Sequence, residues 1–197
     1  VNNKYAVNGV FDSIYIQASS GLPQLENLTG TLKGSNESGV IGFNTHKGSL
    51  YFPELFRAPY SINKLTGLLV WKELSDRWQI SSGSLVVDLK DIQTETKVAL
   101  TIPKNDESIF MDLQASFGNA PDISHAPEYY PSTVIGEDVL SWLDSAFVSG
   151  KIGQGDVLVY GELNQFPFSE GQGVFEVLYN MDDVELHYNS EWPNLTN

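Results

Sequence analysis

The chain has 197 residues, with 25 acidic against 11 basic side chains, a formal net charge of −14 and no cysteine. The length suits one domain, and an apolar fraction of 41% with 12% aromatics is enough to fill a core, which argues against global disorder. The acid excess disfavours a nucleic-acid surface and steering to an anionic membrane, and the lack of cysteine removes disulfides, thiolate catalysis and Cys-type zinc sites.

The dominant hydrophobic period is two, which sends successive side chains to opposite faces of a sheet. Near the start, Tyr5, Val7, Gly9 and Phe11 alternate with Ala6, Asn8 and Val10. A polar turn follows at residues 35–39. Residues 65–71 are apolar at both parities and read as a strand covered on both sides. Next, Leu85, Val87 and Leu89 alternate with Val86, Asp88 and Lys90, and Val98, Leu100 and Ile102 alternate with Ala99 and Thr101. Residues 104–107 form a hairpin loop to a further run, in which Ile109, Met111, Leu113, Ala115 and Phe117 oppose Phe110, Asp112, Gln114 and Ser116. Links this short imply antiparallel neighbours, because a parallel crossover needs a dozen residues or more.

Pro121, Pro127 and Pro131 then punctuate a coil. From Glu137 to Val148 the period changes to that of a helix, with stripes at 139/143/146/147 and 140/143/147. Glu137 and Asp138 suit its N-terminal end, and Gly150 suits a left-handed C-terminal cap. Residues 169–173 mark another turn. The expected fold class is mainly β: a long antiparallel meander, as a curved sheet, a groove or a sandwich, with one main α-helix near residues 137–148. About ten strands precede the coil and roughly three follow the helix. Residues 1–197 read as a single β-rich domain.

The chemistry-bearing residues form no known constellation. His46, His125 and His187 lie far apart, without metal-ligand spacing. The Gly-rich stretch 150–155 follows a helix and precedes a strand, the wrong order for a phosphate cradle, and reads as a cap plus loop. Asp182, Asp183 and Glu185 read as a solvated turn before a short strand rather than as half of a glycosidase pair. No Gly-x-Ser-x-Gly elbow occurs. Asn-x-Ser/Thr sequons stand at Asn27, Asn36 and Asn194. No catalytic residue, no metal and no cofactor are therefore expected. Trp71, Trp78, Trp142 and Trp192 are spread along the chain, as packing aromatics or as a sugar platform. No run of 18 or more apolar residues occurs, and no signal peptide is visible. The chain reads as a soluble piece of a longer protein, with any anchor outside it.

Four stretches, in this order and spacing, carry a resemblance. They are Gly21-Leu22-Pro23-Gln24-Leu25-Glu26-Asn27-Leu28-Thr29-Gly30; Phe56-Arg57-Ala58-Pro59 leading through Gly67 to Val70-Trp71 and Trp78; Tyr130-Pro131 followed by Trp142-Leu143 and Ala146; and Phe166-Pro167-Phe168, Gly173-Val174-Phe175-Glu176-Val177 and Glu191-Trp192-Pro193. Together they resemble the YhdP family of AsmA-like proteins of Gram-negative bacteria, from about residue 9 to residue 195. The resemblance implies a fragment of a much longer periplasmic protein anchored in the inner membrane. It is similar to bridge-like lipid transporters, whose curved sheets stack into a groove. The implied role is phospholipid transport toward the outer membrane, with phospholipid and the other segments of the same longer chain as partners. It supplies no catalytic residues.

The lipid-facing candidates are Leu85, Val87, Leu89, Val98, Leu100, Ile102, Ile109, Met111 and Leu113, provided that their rows merge on one face. A conduit leaves part of that face open, whereas a sandwich buries it against a second sheet. The alternatives are an extracellular carbohydrate-binding or adhesive β-module, which needs coplanar aromatics, and a hydrolase, which needs two facing carboxylates.

Overall fold

In the computed structural model, residues 4–19 and 22–196 are described, the side chain of Asn119 aside. Gly21, the first residue of the first stretch that carries the resemblance, lies outside them. The alternating runs become strands β1 (Ala6–Ile16), β2 (Gln24–Ser35), β3 (Ser38–Tyr51), β4 (Tyr60–Glu73), β5 (Arg77–Ser82), β6 (Leu85–Leu89), β7 (Gln93–Pro103) and β8 (Phe110–Ala120). After the proline-punctuated coil come helix α1 (Glu137–Ala146) and strands β9 (Phe147–Glu162), β10 (Val174–Leu186) and β11 (Leu195–Thr196).

All eleven strands join one antiparallel sheet, and their order in space follows their order in the chain. β5 and β6 share one position. β5 pairs with residues 69–73 of β4 and 99–103 of β7, while β6 pairs with the other halves of the same two strands. They are thus one strand broken at Gly83 and Ser84. The break explains Gly67, which takes a φ of +139° and faces it across the pair: a methyl there would come within 2.5 Å of the Ser84 carbonyl oxygen. Only glycine accepts both the conformation and the approach.

Two small cores lie at one end of the sheet. Leu28, Ile62, Leu65 and Leu89 form the first, and Ala120, Ile123 and Ile152 the second. Thr45, fully buried, ties β3 to β2, its hydroxyl accepting from the Thr29 N–H at 2.9 Å and donating to the Thr29 carbonyl. Beside it Asn27, at φ +58°, donates its side-chain amide to the His46 and Lys47 carbonyls. That amide secures the irregular register between Glu26 and Gly30.

Several local expectations are corrected. Eight strands, not ten, precede the coil. Residues 65–71 are not covered on both sides, since Leu68 is 57% and Val70 43% exposed. The helix stops at Ala146, and Gly150 is not its cap. The Ala146 carbonyl instead accepts from the His187 N–H at 2.7 Å, and Phe147 turns straight into β9. Gly150, at φ +134°, sits at an irregularity where β9 meets β10. Residues 150–155 are strand rather than loop, and Asp182, Asp183 and Glu185 lie within β10 rather than before it. Of the helix positions on the two expected stripes Val139 is exposed, while Ala146 is fully buried and Leu140 and Leu143 are half-buried. The inward stripe is therefore 140/143/147 together with Ala146.

Candidate functional site

The registers decide which side chains share a face. Val98 pairs with Leu113 and Leu100 with Met111, so the rows from β7 and β8 lie side by side. Leu85 and Val87 pair with Thr96 and Thr94, on the same face but nearer the other end of β7. The stretch holding Leu100 and Ile102 meets Ile80 and Trp78 of β5 instead. Ile109 directly precedes β8. Of the nine candidates Leu89 is buried and the other eight are half-buried. No second sheet is present among the described residues to cover them.

The same face continues across the molecule. One row of direct cross-strand partners runs Val7, Gly34, Gly39, Trp71, Ile80, Leu100, Met111, Gly161, from β1 to β9. A parallel row runs Thr96, Ala115, Val157, Val177, and another Val98, Leu113, Val159, Phe175. Along the regular registers from β2 to β9 the charged residue on this face is Glu73, at the hairpin end, where Lys104 meets it at 2.6 Å. The opposite face carries Lys33, Lys72, Glu95, Lys97, Asp112 and Asp156. The contrast is clearest on β5 to β8, whereas toward β3–β4 and β9–β10 the opposite face also exposes apolar side chains, among them Leu68, Val70, Tyr160 and Leu178.

Rings on the apolar face lie against glycines of the next strand. Phe11 is opposite Gly30, Trp71 opposite Gly39 and Phe117 opposite Gly155. A Cβ at any of these glycines would collide with the ring, and Trp71 also reaches over Gly34. Phe168, 6% exposed, covers Gly161 and Gly173 in the same way. Flat rings on bare backbone keep the surface smooth and shield the sheet. Sequence reasoning missed Trp71, Ile80, Val157, Val159 and Phe175 as members of this face, and put Phe117 in the row of Met111 and Leu113 without naming it a candidate. Alternation placed only Phe117 in a strand row, and the continuous apolar run 65–71 placed Trp71 in a strand; the aromatic–glycine pairing appears only once the register is known.

The two ends of the face differ. At the hairpin end Phe168 packs with Phe166 at 5.6 Å, and Phe166 with Phe175 at 4.9 Å. At the other end residues 121–136 cross the face. Their short 3-10 helix, Ile123–Tyr129, anchors Ile123 in the second core and stacks Tyr129 on Tyr60 of β4 at 5.2 Å. Burial, together with Asp91 and Glu128, pushes the Tyr129 phenol up to about 12. Burial, with Tyr129 and Glu128 nearby, holds Tyr60 well above the ordinary phenol range. Outside the seam Arg57, from the β3–β4 loop, meets Asp144 of α1 at 2.8 Å.

An open depression of about 1000 Å³ lies mainly on the polar side of the sheet, lined by Glu95, Ser116, Gln154 and Asp182 among others. His46, His125 and His187 do not converge, and no group of three metal-ligating side chains occurs among the described residues. Lys151 alone approaches Asp183, at 3.6 Å. No helix of the described residues is long and apolar enough to cross a membrane.

The chain is 27% identical over 176 residues to the intermembrane phospholipid transporter YhdP of Escherichia coli (strain K12), a match covering 89% of this chain and 14% of that relative. No solved structure gives a significant match. The family described as YhdP protein matches residues 1–197 from end to end, and the chain belongs to the YhdP family.

Proposed function

We propose that this chain is one segment of a longer, inner-membrane-anchored periplasmic protein that moves phospholipid toward the outer membrane and so maintains the envelope. Its apolar sheet face is the surface on which acyl chains lie. The observation that carries the reading is the unbroken row from Val7 to Gly161, apolar at every position and uncovered by a second sheet. Acyl chains need a continuous apolar surface, and a charge on it would impose a desolvation barrier of several kcal/mol. The family relative is named as a phospholipid transporter, which supports the same ligand class.

The nine candidates Leu85 to Leu113 occupy the middle of this surface in the proposal, with Leu89 at its covered end. The segment is a conduit and performs no catalysis. Its neighbours are other segments of the same longer chain, for which the sheet has room: the outer side of β1 is unpaired among the described residues, and β11 pairs with β10 only at Glu185 and Leu186. Long unpaired edges are templates for further strands. A sugar-binding module fits less well, because the exposed rings of Trp142, Tyr188 and Trp192 meet at 79° and 48° rather than lying coplanar.

The test is gentle purification of the full-length protein followed by mass spectrometry of bound lipid. Wild type is expected to carry phospholipid. Leu100→Asp, which places a charge in the central row, is expected to lose at least tenfold of it, whereas Ala99→Asp on the other face retains it. Equal lipid in both variants, or none in wild type, contradicts the proposal.

A further inference from the structure

We propose that residues 121–136 form a hinged strap that closes one end of the apolar face and opens as a unit, so that the end beneath it receives lipid only when the strap lifts. This rests on the reading of that face as an acyl-chain surface, but the strap's mobility is a separate claim with its own readout.

The strap is a bridge rather than a packed layer. Its fixed end is Ile123, fully buried against Ala120 and Ile152 of β8 and β9. Its far end is Tyr129, stacked at an interplanar angle of 9° on Tyr60 of β4. Those anchor points lie three strand spacings apart, roughly 14 Å along the sheet. Beneath the far end lies the core of Leu28, Ile62, Leu65 and Leu89, which Tyr129 helps to cover. Beyond it Thr133 donates its hydroxyl to the Glu54 carbonyl of the β3–β4 loop. Pro121 opens the strap, and Gly136 ends it at the first turn of α1, where no side chain caps the helix. Gly136 is the natural pivot, while Pro121, its φ locked by the ring, stiffens the end next to the Ile123 anchor.

The seam under the strap is poorly satisfied. Among the described residues, the buried Tyr60 and Tyr130 hydroxyls lack a hydrogen-bond partner, and the buried Asp91 Oδ2 and His125 Nδ1 face each other without hydrogen-bond geometry. Three belong to the strap or the ring directly beneath it, and Asp91 sits in the β6–β7 turn facing His125 at 3.2 Å. Native interiors pair such atoms almost without exception, so their concentration in one seam marks the contact that gives way first. Each regains water when the strap lifts, while the β-ladders beside it stay paired. The latch that remains is an exposed hydroxyl on a backbone carbonyl and one partly buried Asp–His contact, few interactions beside the full ladder of a strand.

The test combines hydrogen exchange with photo-crosslinking in the full-length protein. Strap amides from Ser124 to Tyr130 are expected to exchange together and at least a hundredfold faster than those of β4 and β9. Thr133→Val with Asp91→Asn is expected to speed the strap further and leave the strands unchanged. A benzoyl-phenylalanine probe replacing Tyr60 is expected to capture mainly the strap in wild type, with lipid capture rising several-fold in the double variant. A second probe at Leu100 is expected to capture lipid equally in both. Strap amides as protected as β4 overturn the proposal. So does lipid capture at Tyr60 that is unchanged when exchange shows the strap loosened. Absence of lipid at Leu100 as well as Tyr60 overturns the acyl-chain reading and with it the gating role, while exchange alone still decides whether the strap opens.

Discussion

Gly39 and Gly9 are both strand glycines, yet their surroundings are opposite. A methyl at Gly39 would fall within the Trp71 ring, whereas at Gly9 nothing lies within 4 Å. Gly39→Ala should therefore force Trp71 off its bed and destabilise by about 1–3 kcal/mol, the usual range for overpacking. Gly9→Ala should be neutral or slightly stabilising, because glycine is a poor strand residue when nothing demands it. Urea titration of both variants checks the contrast, and equal losses would mean that the ring does not rest on Gly39. A second consequence follows from Tyr129, whose phenol is pushed up to about 12 by burial, Asp91 and Glu128. The unfolded chain deprotonates near pH 10 and the folded one later, so the unfolded state holds fewer protons in between. Stability is thus intact below about pH 10 and falls as pH rises toward 12. Tyr129→Phe should flatten that fall, measured by denaturant midpoints from pH 8.5 to 11.5, and an unaltered profile would remove Tyr129 from the explanation.

At the scale of elements, α1 separates two kinds of position that periodicity alone equates. Val139 is 54% exposed and Ala146 fully buried, although both fall on one expected stripe. Val139→Ala should change stability by less than about 0.5 kcal/mol, as ordinary surface substitutions do, while Ala146→Leu should cost about 1–3 kcal/mol by overfilling its site. Thermal denaturation of the two variants distinguishes this docking from one through Val139. The period-two runs from Leu85 to Phe117 were legible as strands because each has one apolar parity and a polar link to the next. Residues 150–155 were not, because three glycines in six residues look like a loop until Phe117 and the β10 backbone are seen occupying the space beside them. Asp182 and Asp183 misled for a related reason: a bulge with Asp183 at φ +53° lets β10 carry charges in mid-strand at an exposed edge. The break between β5 and β6 shows locally in Ser82-Gly83-Ser84, but the reason for Gly67 lies in its contact with Ser84, 17 residues later, a separation that no local pattern encodes.

Across the whole molecule, a meander with one amphipathic sheet explains why so few side chains are fully buried in a chain of this size. The apolar parity is half-buried over most of its area, and full burial occurs mainly where the strap, Thr45 and the Phe168 loop cover it. A globular domain would close such a surface with a second layer, whereas the proposed function covers it with acyl chains. Adjacent residues on β7 and β8 sort the explanations: Leu100 pairs with Met111 on the apolar face, and Ala99 pairs with Asp112 on the polar one. Photo-crosslinking probes at these four positions in the full-length protein in cells are the most direct measurement. Phospholipid adducts are expected at Leu100 and Met111, with none above background at Ala99 and Asp112. Adducts at all four positions alike, or at none of them while a known lipid-binding control is labelled, would contradict an acyl-chain surface on this face.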